Sequence, residues 1–148
     1  MPQREGDPLV TFHFMLDVGG TIKGYFTEIS GLGSESEIVE AKQVDASGKD
    51  LIRKIPGRLK FTDVTLKRGI TDYMDFWKWR QLVVDGKVKD ARKNATIFMC
   101  DTEGNPVAEW SLTNAWPSKV QGPQVQAESS TAGMEELTIT YEYLERKS

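Results

Sequence analysis

One cysteine and one histidine are all that this chain of 148 residues has of the two side chains most used for nucleophilic and metal chemistry. A lone Cys100 excludes an internal disulfide and any zinc site of the finger or ribbon kind, because both need further cysteines. Long apolar runs are missing as well. The stretch LVTFHFMLDV (residues 9–18) is too short to cross a bilayer, and the preceding MPQREGDP lacks the charged-then-apolar order of a secretory leader. The expectation is therefore no membrane anchor and folding in the cytoplasm, where Asn94-Ala95-Thr96 is a chance glycosylation sequon. Positive charge is not in excess either. The net charge is -3 and the isoelectric point near 5.3, against the basic field that general nucleic-acid binding requires.

Catalytic patterns are absent in the same way. No G-x-S-x-G nucleophile elbow occurs, so a dyad with His13 would need a Ser or Cys brought to it by the fold. The bland reading of His13 is a partly exposed strand residue, and that of Cys100, which alternates with Phe98, is an inert buried thiol. The carboxylates Glu35, Glu37 and Glu40, and the pair Glu135-Glu136, lack the apolar neighbours that would raise a pKa for acid–base work. DVGGTIKG (residues 17–24) has neither phosphate-loop spacing and follows a strand without opening a helix, which makes it a hairpin turn. The basic steps at Lys67-Arg68 and Lys87 to Lys93 read as solvated faces. No catalytic residue, metal site or cofactor is expected.

What the chain does have is a sequence of half-buried strands. Its 39% hydrophobic and 28% charged residues are those of a globular protein, and the length suits one domain spanning 1–148. Val10, Phe12, Phe14, Leu16 and Val18 share one side of an extended chain. Gly19-Gly20 then turns it into a second strand, Ile22 to Ser30, closed by Gly31 and Gly33. Glu35 to Val44 can be extended but carries charge on both faces, so water or another chain should lie against it. Asp45 to Gly57 reads as a long excursion ending in a Pro-Gly turn.

In LKFTDVTLKRG (residues 59–69) the apolar phase flips at Thr62-Asp63, which a β-bulge, or a strand buried on both faces in different places, would explain. Gly69 ends that strand, and Thr71 or Asp72 can cap a helix over Asp72 to Val84, carrying Tyr73, Phe76, Trp77, Leu82 and Val83. On a helix, residues two apart point about 200° apart, so Trp77 and Trp79 cannot both be buried; the exposed one is a candidate interface anchor. Lys87 to Asn94 is a charged connector. Thr96 to Asp101, Val107 to Asn114 and Leu137 to Tyr143 alternate as strands, while the composition of Ser118 to Ala132 suits either a loop or a polar strand. The pattern implies a mainly β, α+β architecture, an antiparallel β-barrel or sandwich flanked by one α-helix.

Four motifs in order carry a more specific signal: F-T-E-I-S-G-L (Phe26 to Leu32) followed by Glu35, Glu37 and Glu40; K-I-P-G (Lys54 to Gly57); T-L-K-R-G (Thr65 to Gly69); and W-S-L-T-N-A-W-P (Trp110 to Pro117). Together they resemble the inner-tube proteins of contractile phage tails and extracellular contractile injection systems, over about Phe12 to Tyr143. The resemblance implies a tail-tube fold similar to the tube protein of type VI secretion. It implies hexameric rings stacked into a hollow tube inside a contractile sheath, with sheath, baseplate and cap proteins as partners, and protein or DNA cargo in the lumen. It also implies assembly in the cytoplasm as part of a phage tail or a tail-like particle released from the cell. Asp45 to Gly57 is then the inter-ring loop, and Asp45, Lys49, Leu51, Ile52, Arg53, Lys54, Lys67, Arg68 and Trp79 are candidate interface residues. Glu35, Glu37, Glu40 and Lys42 are candidates for the lumen. The sequence departs from the family pattern at Glu40 to Lys49, where relatives carry an aromatic-basic-acidic-Gly run. Two readings compete with a tube subunit: a tube-initiating baseplate protein or secreted type VI-like ring protein of the same fold, and a small barrel that binds a ligand or hydrolyses one around His13.

Overall fold

The structure, a computed structural model, describes residues 13–20, 22–69, 74–122 and 133–148. Val10 and Phe12, the helix cap at Thr71 or Asp72 with Tyr73, and most of the Ser118 to Ala132 segment lie outside the described residues. The elements in chain order are β1 (His13–Val18), β2 (Ile22–Phe26), β3 (Glu28–Ser30), β4 (Ser34–Val44), β5 (Asp50–Phe61), β6 (Val64–Gly69), α1 (Asp75–Val84), α2 (Val88–Ala91), β7 (Lys93–Cys100), β8 (Pro106–Gln121), β9 (Met134–Thr140) and β10 (Tyr143–Arg146).

Among the described residues one antiparallel sheet runs β2-β1-β7-β8-β9-β6-β3, with β10 also on β8, while β4 and β5 pair only with each other. The first and last strands of that path, β2 and β3, are separated in the chain by Thr27 alone, so the sheet rolls back on itself. Thr27 bridges the seam by donating its backbone N–H to Lys67 O at 3.0 Å. Among the described residues no ladder pairs β2 with β6, so the roll they form is mainly β but is not a barrel closed by hydrogen bonds. The segment 22–30, expected as one strand, breaks at Thr27 because its two halves serve opposite edges of the sheet.

The long strand β8 forms the other bend. Its first half pairs with β7 and its second with β9. Between them Asn114 takes a left-handed φ of 53°, a conformation asparagine tolerates better than most residues. Its side chain donates to Glu142 Oε2 at 2.7 Å, and its backbone N–H donates to Asn94 Oδ1.

Inside the roll lie Leu16, Val18, Phe26, Val64, Leu66, Ala95, Ile97, Leu112, Ala115, Leu137 and Ile139, all buried. Leu16, Val18, Val64, Leu66, Leu112, Leu137 and Ile139 are inward as the period-2 patterns of the sequence imply, whereas Ala115 is brought in by the change of phase at Asn114. The helices pack against this core: Phe76 meets Phe26 with ring centroids 5.2 Å apart, and the Arg80 guanidinium donates to Pro117 O at 3.1 Å. Among the described residues there are two helices rather than one. The charged connector Lys87 to Asn94 contains α2, a single turn whose Ala91 is buried and whose polar side chains face out.

Candidate functional site

The chain's most exposed element is the ribbon β4–β5, strands of 11 and 12 residues, roughly 35 Å of extended chain. The sequence reads Asp45 to Gly57 as a loop with a Pro-Gly turn; instead only Asp45 to Lys49 turns, and β5 begins at Asp50. Pro56 and Gly57 sit within β5, beside the register shift between Ser36 and Ile38. A bulge accommodates proline because it relieves the demand for a ladder N–H. Glycine is needed there for space, since a Cβ on Gly57 would lie 3.1 Å from both Glu37 O and a Val39 methyl. The phase flip at Thr62-Asp63 is likewise a break between two strands, where β5 leaves the ribbon and β6 joins the roll, and not a bulge within one.

Directly opposed residues in the ribbon include Glu35 with Lys60, Glu40 with Lys54, Val39 with Ile55 and Lys42 with Ile52. Unlike charges thus face each other across the strands, an arrangement that fixes register. Both faces also carry uncovered apolar side chains: Ile38, Val44, Ile52 and Leu59 on one, Val39, Leu51 and Ile55 on the other, each between 45% and 67% exposed. An isolated two-stranded ribbon is at best marginally stable in water. Exposed apolar surface of this kind marks a site of contact with another chain, a membrane or a ligand.

The tip is more rigid than its composition suggests. Asp45 Oδ1 accepts from Ser47 N at 2.9 Å, Ser47 Oγ at 2.7 Å and Lys49 N at 2.9 Å, while Gly48 takes φ 82°. The Ser47 hydroxyl, followed by the Lys49 amide, holds the Asp45 carboxyl below its ordinary pKa, because these bonds favour the charged form.

Other candidates separate in space. Asp45 and Lys49 flank the tip, and Leu51, Ile52, Arg53 and Lys54 follow on β5, all exposed. Of the four lumen candidates, Glu35 and Glu37 lie on one face of the ribbon and Glu40 and Lys42 on the other, since alternate residues of a strand share a face. One lumen cannot receive all four from a single flat ribbon. Lys67 and Arg68 likewise point to opposite sides of β6. Lys67 is on the outer face, whereas Arg68 is only 5% exposed and its Nε donates to Glu135 Oε1 in a buried ion pair.

The expectation for the tryptophans is met in its geometry and corrected in its assignment. Trp79 is 1% exposed and donates from Nε1 to Ala91 O at 2.7 Å; it fixes α2 to α1 inside the monomer and offers nothing to a neighbour. Trp77 is the exposed one, at 36%, and its Nε1 donates to Glu135 Oε2 at 3.0 Å. Arg68, Glu135 and Trp77 form a network that sequence spacing gave no means of finding, because its members are 58 and 67 residues apart. Arg68 also lies over the Phe76 ring at 4.3 Å.

His13 is half-buried in β1, with its ring edge against Tyr25 at 5.5 Å between centroids. Cys100 is paired opposite it in the ladder and is buried; burial, with a smaller contribution from Asp101, pushes the thiol pKa up, the reverse of what a nucleophile needs. Among the described residues no three His, Cys, Asp or Glu side chains cluster to hold a metal, and no helix is long and apolar enough to cross a membrane.

Comparisons with known proteins agree with this arrangement. No curated protein sequence matches the chain significantly. Among solved structures, a chain of the sheath-tube complex of the extracellular contractile injection system PVC in its extended state superposes with a TM-score of 0.78. It is 23% identical, covering 97% of this chain and 93% of that one. A chain of the PVC sheath/tube terminator gives 0.74 at 21% identity over 98% and 100%, and Hcp1 from Flavobacterium johnsoniae 0.56 at 16% identity over 91% and 94%. At these identities the likeness establishes the fold. Residues 10–145 match the family described as T4-like virus tail tube protein gp19. The chain therefore belongs to the T4-like virus tail tube protein family and is a structural tube subunit.

Proposed function

We infer that the chain forms hexameric rings that stack head to tail into a hollow conduit inside a contractile sheath, with baseplate and cap proteins closing its ends. Its role is mechanical rather than catalytic. The ribbon β4–β5 carries this reading: seven apolar side chains at least 45% exposed on its two faces, next to opposed charges, need a neighbouring chain. Asp45, Lys49, Leu51, Ile52, Arg53 and Lys54 are the residues proposed to reach an adjacent ring, and Lys67 is proposed to lie at or near a subunit boundary. Heterologous contacts close into rings when the rotation closes and into filaments when it does not, so a tube needs both kinds of contact from one chain. Cytoplasmic assembly, use in a phage tail or an extracellular particle, and passage of protein or DNA cargo belong to the same proposal.

Negative-stain electron microscopy of the purified chain across concentration, with size exclusion, tests it. Rings and stacked tubes are expected. A chain that stays monomeric at every concentration, and also with sheath and baseplate proteins added, refutes the tube. The likeness to a sheath/tube terminator supports one alternative, an end-of-tube or tube-initiating protein of the same fold, which forms rings that do not extend.

A further inference from the structure

Among the described residues the ribbon β4–β5 has no ladder to the rest of the sheet. Two short connections join it to the roll, Gly31-Leu32-Gly33 before β4 and Thr62-Asp63 after β5. Connections of this length, one with a glycine at each end, would act as a hinge if nothing else held them. Both are held. Thr62 N donates to Gly33 O at 3.3 Å, which ties the two legs together. Gly31, at φ 89°, lets the legs meet backbone to backbone, because a Cβ there would collide with Asp63 O. The second leg is bonded in turn to the corner between β9 and β10, where Tyr141 donates its hydroxyl to Thr62 O and Thr140 Oγ1 donates to Asp63 Oδ1 at 2.8 Å. Phe61, the last residue of the ribbon, packs against the rings of both Tyr141 and Tyr143, at 6.0 and 5.3 Å between centroids. The corner is itself anchored from behind. Glu142 N donates to Thr113 O at 2.9 Å, and the Glu142 carboxylate accepts from Asn114, the residue whose left-handed φ makes the bend in β8.

We propose that this corner, Phe61 to Asp63 with Thr140 to Tyr143, is a fixed joint that sets the direction of the ribbon in the free subunit, so that the ribbon is already aimed when it meets a neighbouring chain. That the neighbour belongs to an adjacent ring rests on the tube reading above. A lever of roughly 35 Å swings its tip by about 6 Å for about 10° at its root. That exceeds the reach of a side-chain contact, so a loose root would spread Leu51, Ile52 and their neighbours over many registers. Fixing the root also removes an ordering cost from each subunit that docks. Thr140 and Tyr141 are positioning residues. Thr62 and Asp63 are exposed, so water is an alternative partner for their oxygens and the net gain of each bond is modest; what the two hydroxyls add is direction.

Pulsed electron paramagnetic resonance between nitroxides on Ala46→Cys, at the ribbon tip, and Lys78→Cys, on α1, tests the joint in a Cys100→Ala background. The free subunit is expected to give a single narrow distance distribution, with the same mean in tubes diluted with unlabelled chain. Adding Thr140→Val and Tyr141→Phe removes both hydroxyls and keeps the side-chain shapes. The distribution should then spread by about 6 Å, the swing of about 10° at the root, while the circular dichroism spectrum stays that of the parent. Thr140→Ser, which keeps a hydroxyl, should leave it narrow, and Thr140→Val alone takes the place of the double variant if that fails to fold. A distribution already broad in the parent, a mean that moves by about 6 Å on assembly, or a width unchanged by loss of the hydroxyls overturns the joint. A narrow distribution in a chain that forms no tubes leaves the joint standing and refutes the tube reading instead.

Discussion

Removing the carboxylate of Glu135 should destabilise the isolated subunit far more than its position on an ordinary amphipathic strand suggests. The Arg68 and Glu135 side chains are each only 6% exposed, and Glu135 accepts from both Arg68 Nε and Trp77 Nε1. Glu135→Ala removes the carboxylate that accepts from the buried Arg68 guanidinium, and truncating one partner of a buried ion pair costs about 3–5 kcal/mol in comparable sites. The faces of Phe76 and Phe26, at 4.3 and 5.5 Å from the guanidinium carbon, stay in place as partial compensation, so the lower part of that range, about 3 kcal/mol, is expected. Urea unfolding of the monomer followed by circular dichroism reads this directly. With a slope of about 1–3 kcal/mol/M for a small protein, the midpoint should fall by roughly 1–3 M. The companion change, Arg68→Met with Glu135→Leu, removes both charges and should recover most of the loss, because apolar replacement of a whole buried pair is often neutral. A Glu135→Ala variant within about 0.5 kcal/mol of the parent would refute the view that the pair is desolvated and that Glu135 anchors α1 through Trp77.

Three further predictions concern the rest of the molecule. Trp79→Ala should cost about 3–5 kcal/mol by opening a cavity at the junction of α1, α2 and the sheet, whereas Trp77→Ala should keep the circular dichroism spectrum of the parent and be scored by electron microscopy of its assemblies. Ile52→Glu, on the exposed ribbon, should leave the monomer melting temperature unchanged and abolish tubes; intact tubes would remove the ribbon from the interface. Burial, and secondarily Asp63, pushes the Tyr141 hydroxyl up to about 12 from an ordinary value of 10.0, and that hydroxyl donates to Thr62 O. The folded state then holds this proton more tightly than the unfolded chain, so the contribution is fully present below pH 10 and is lost as pH rises from 10 to 12. Tyr141→Phe should be less stable at neutral pH by about 1 kcal/mol and should show a flatter loss of stability across that alkaline window in urea titrations.

Local chemistry was enough to read much of this protein from its sequence. Strand alternation marked Leu16, Val18, Leu112, Leu137 and Ile139 as inward because a strand has period 2 whatever it pairs with. Gly19 and Gly20 marked the first turn because they supply positive φ, and the tryptophan spacing required one buried and one exposed ring because a helix turns about 100° per residue. Four weak motifs in order pointed to the tail tube family. Tertiary structure decided what depends on partners. The period of a strand does not say which strand lies beside it, so Ile22 to Ser30 broke at Thr27 and Asp45 to Gly57 proved to be mostly strand. The mirrored charges of Glu35 with Lys60 and Glu40 with Lys54 about the Asp45 to Lys49 turn were the one legible sign of that hairpin. Which tryptophan is buried, and that Arg68 turns inward to Glu135 while Lys67 turns outward, follow from long-range pairing, which brings together residues that no local period connects.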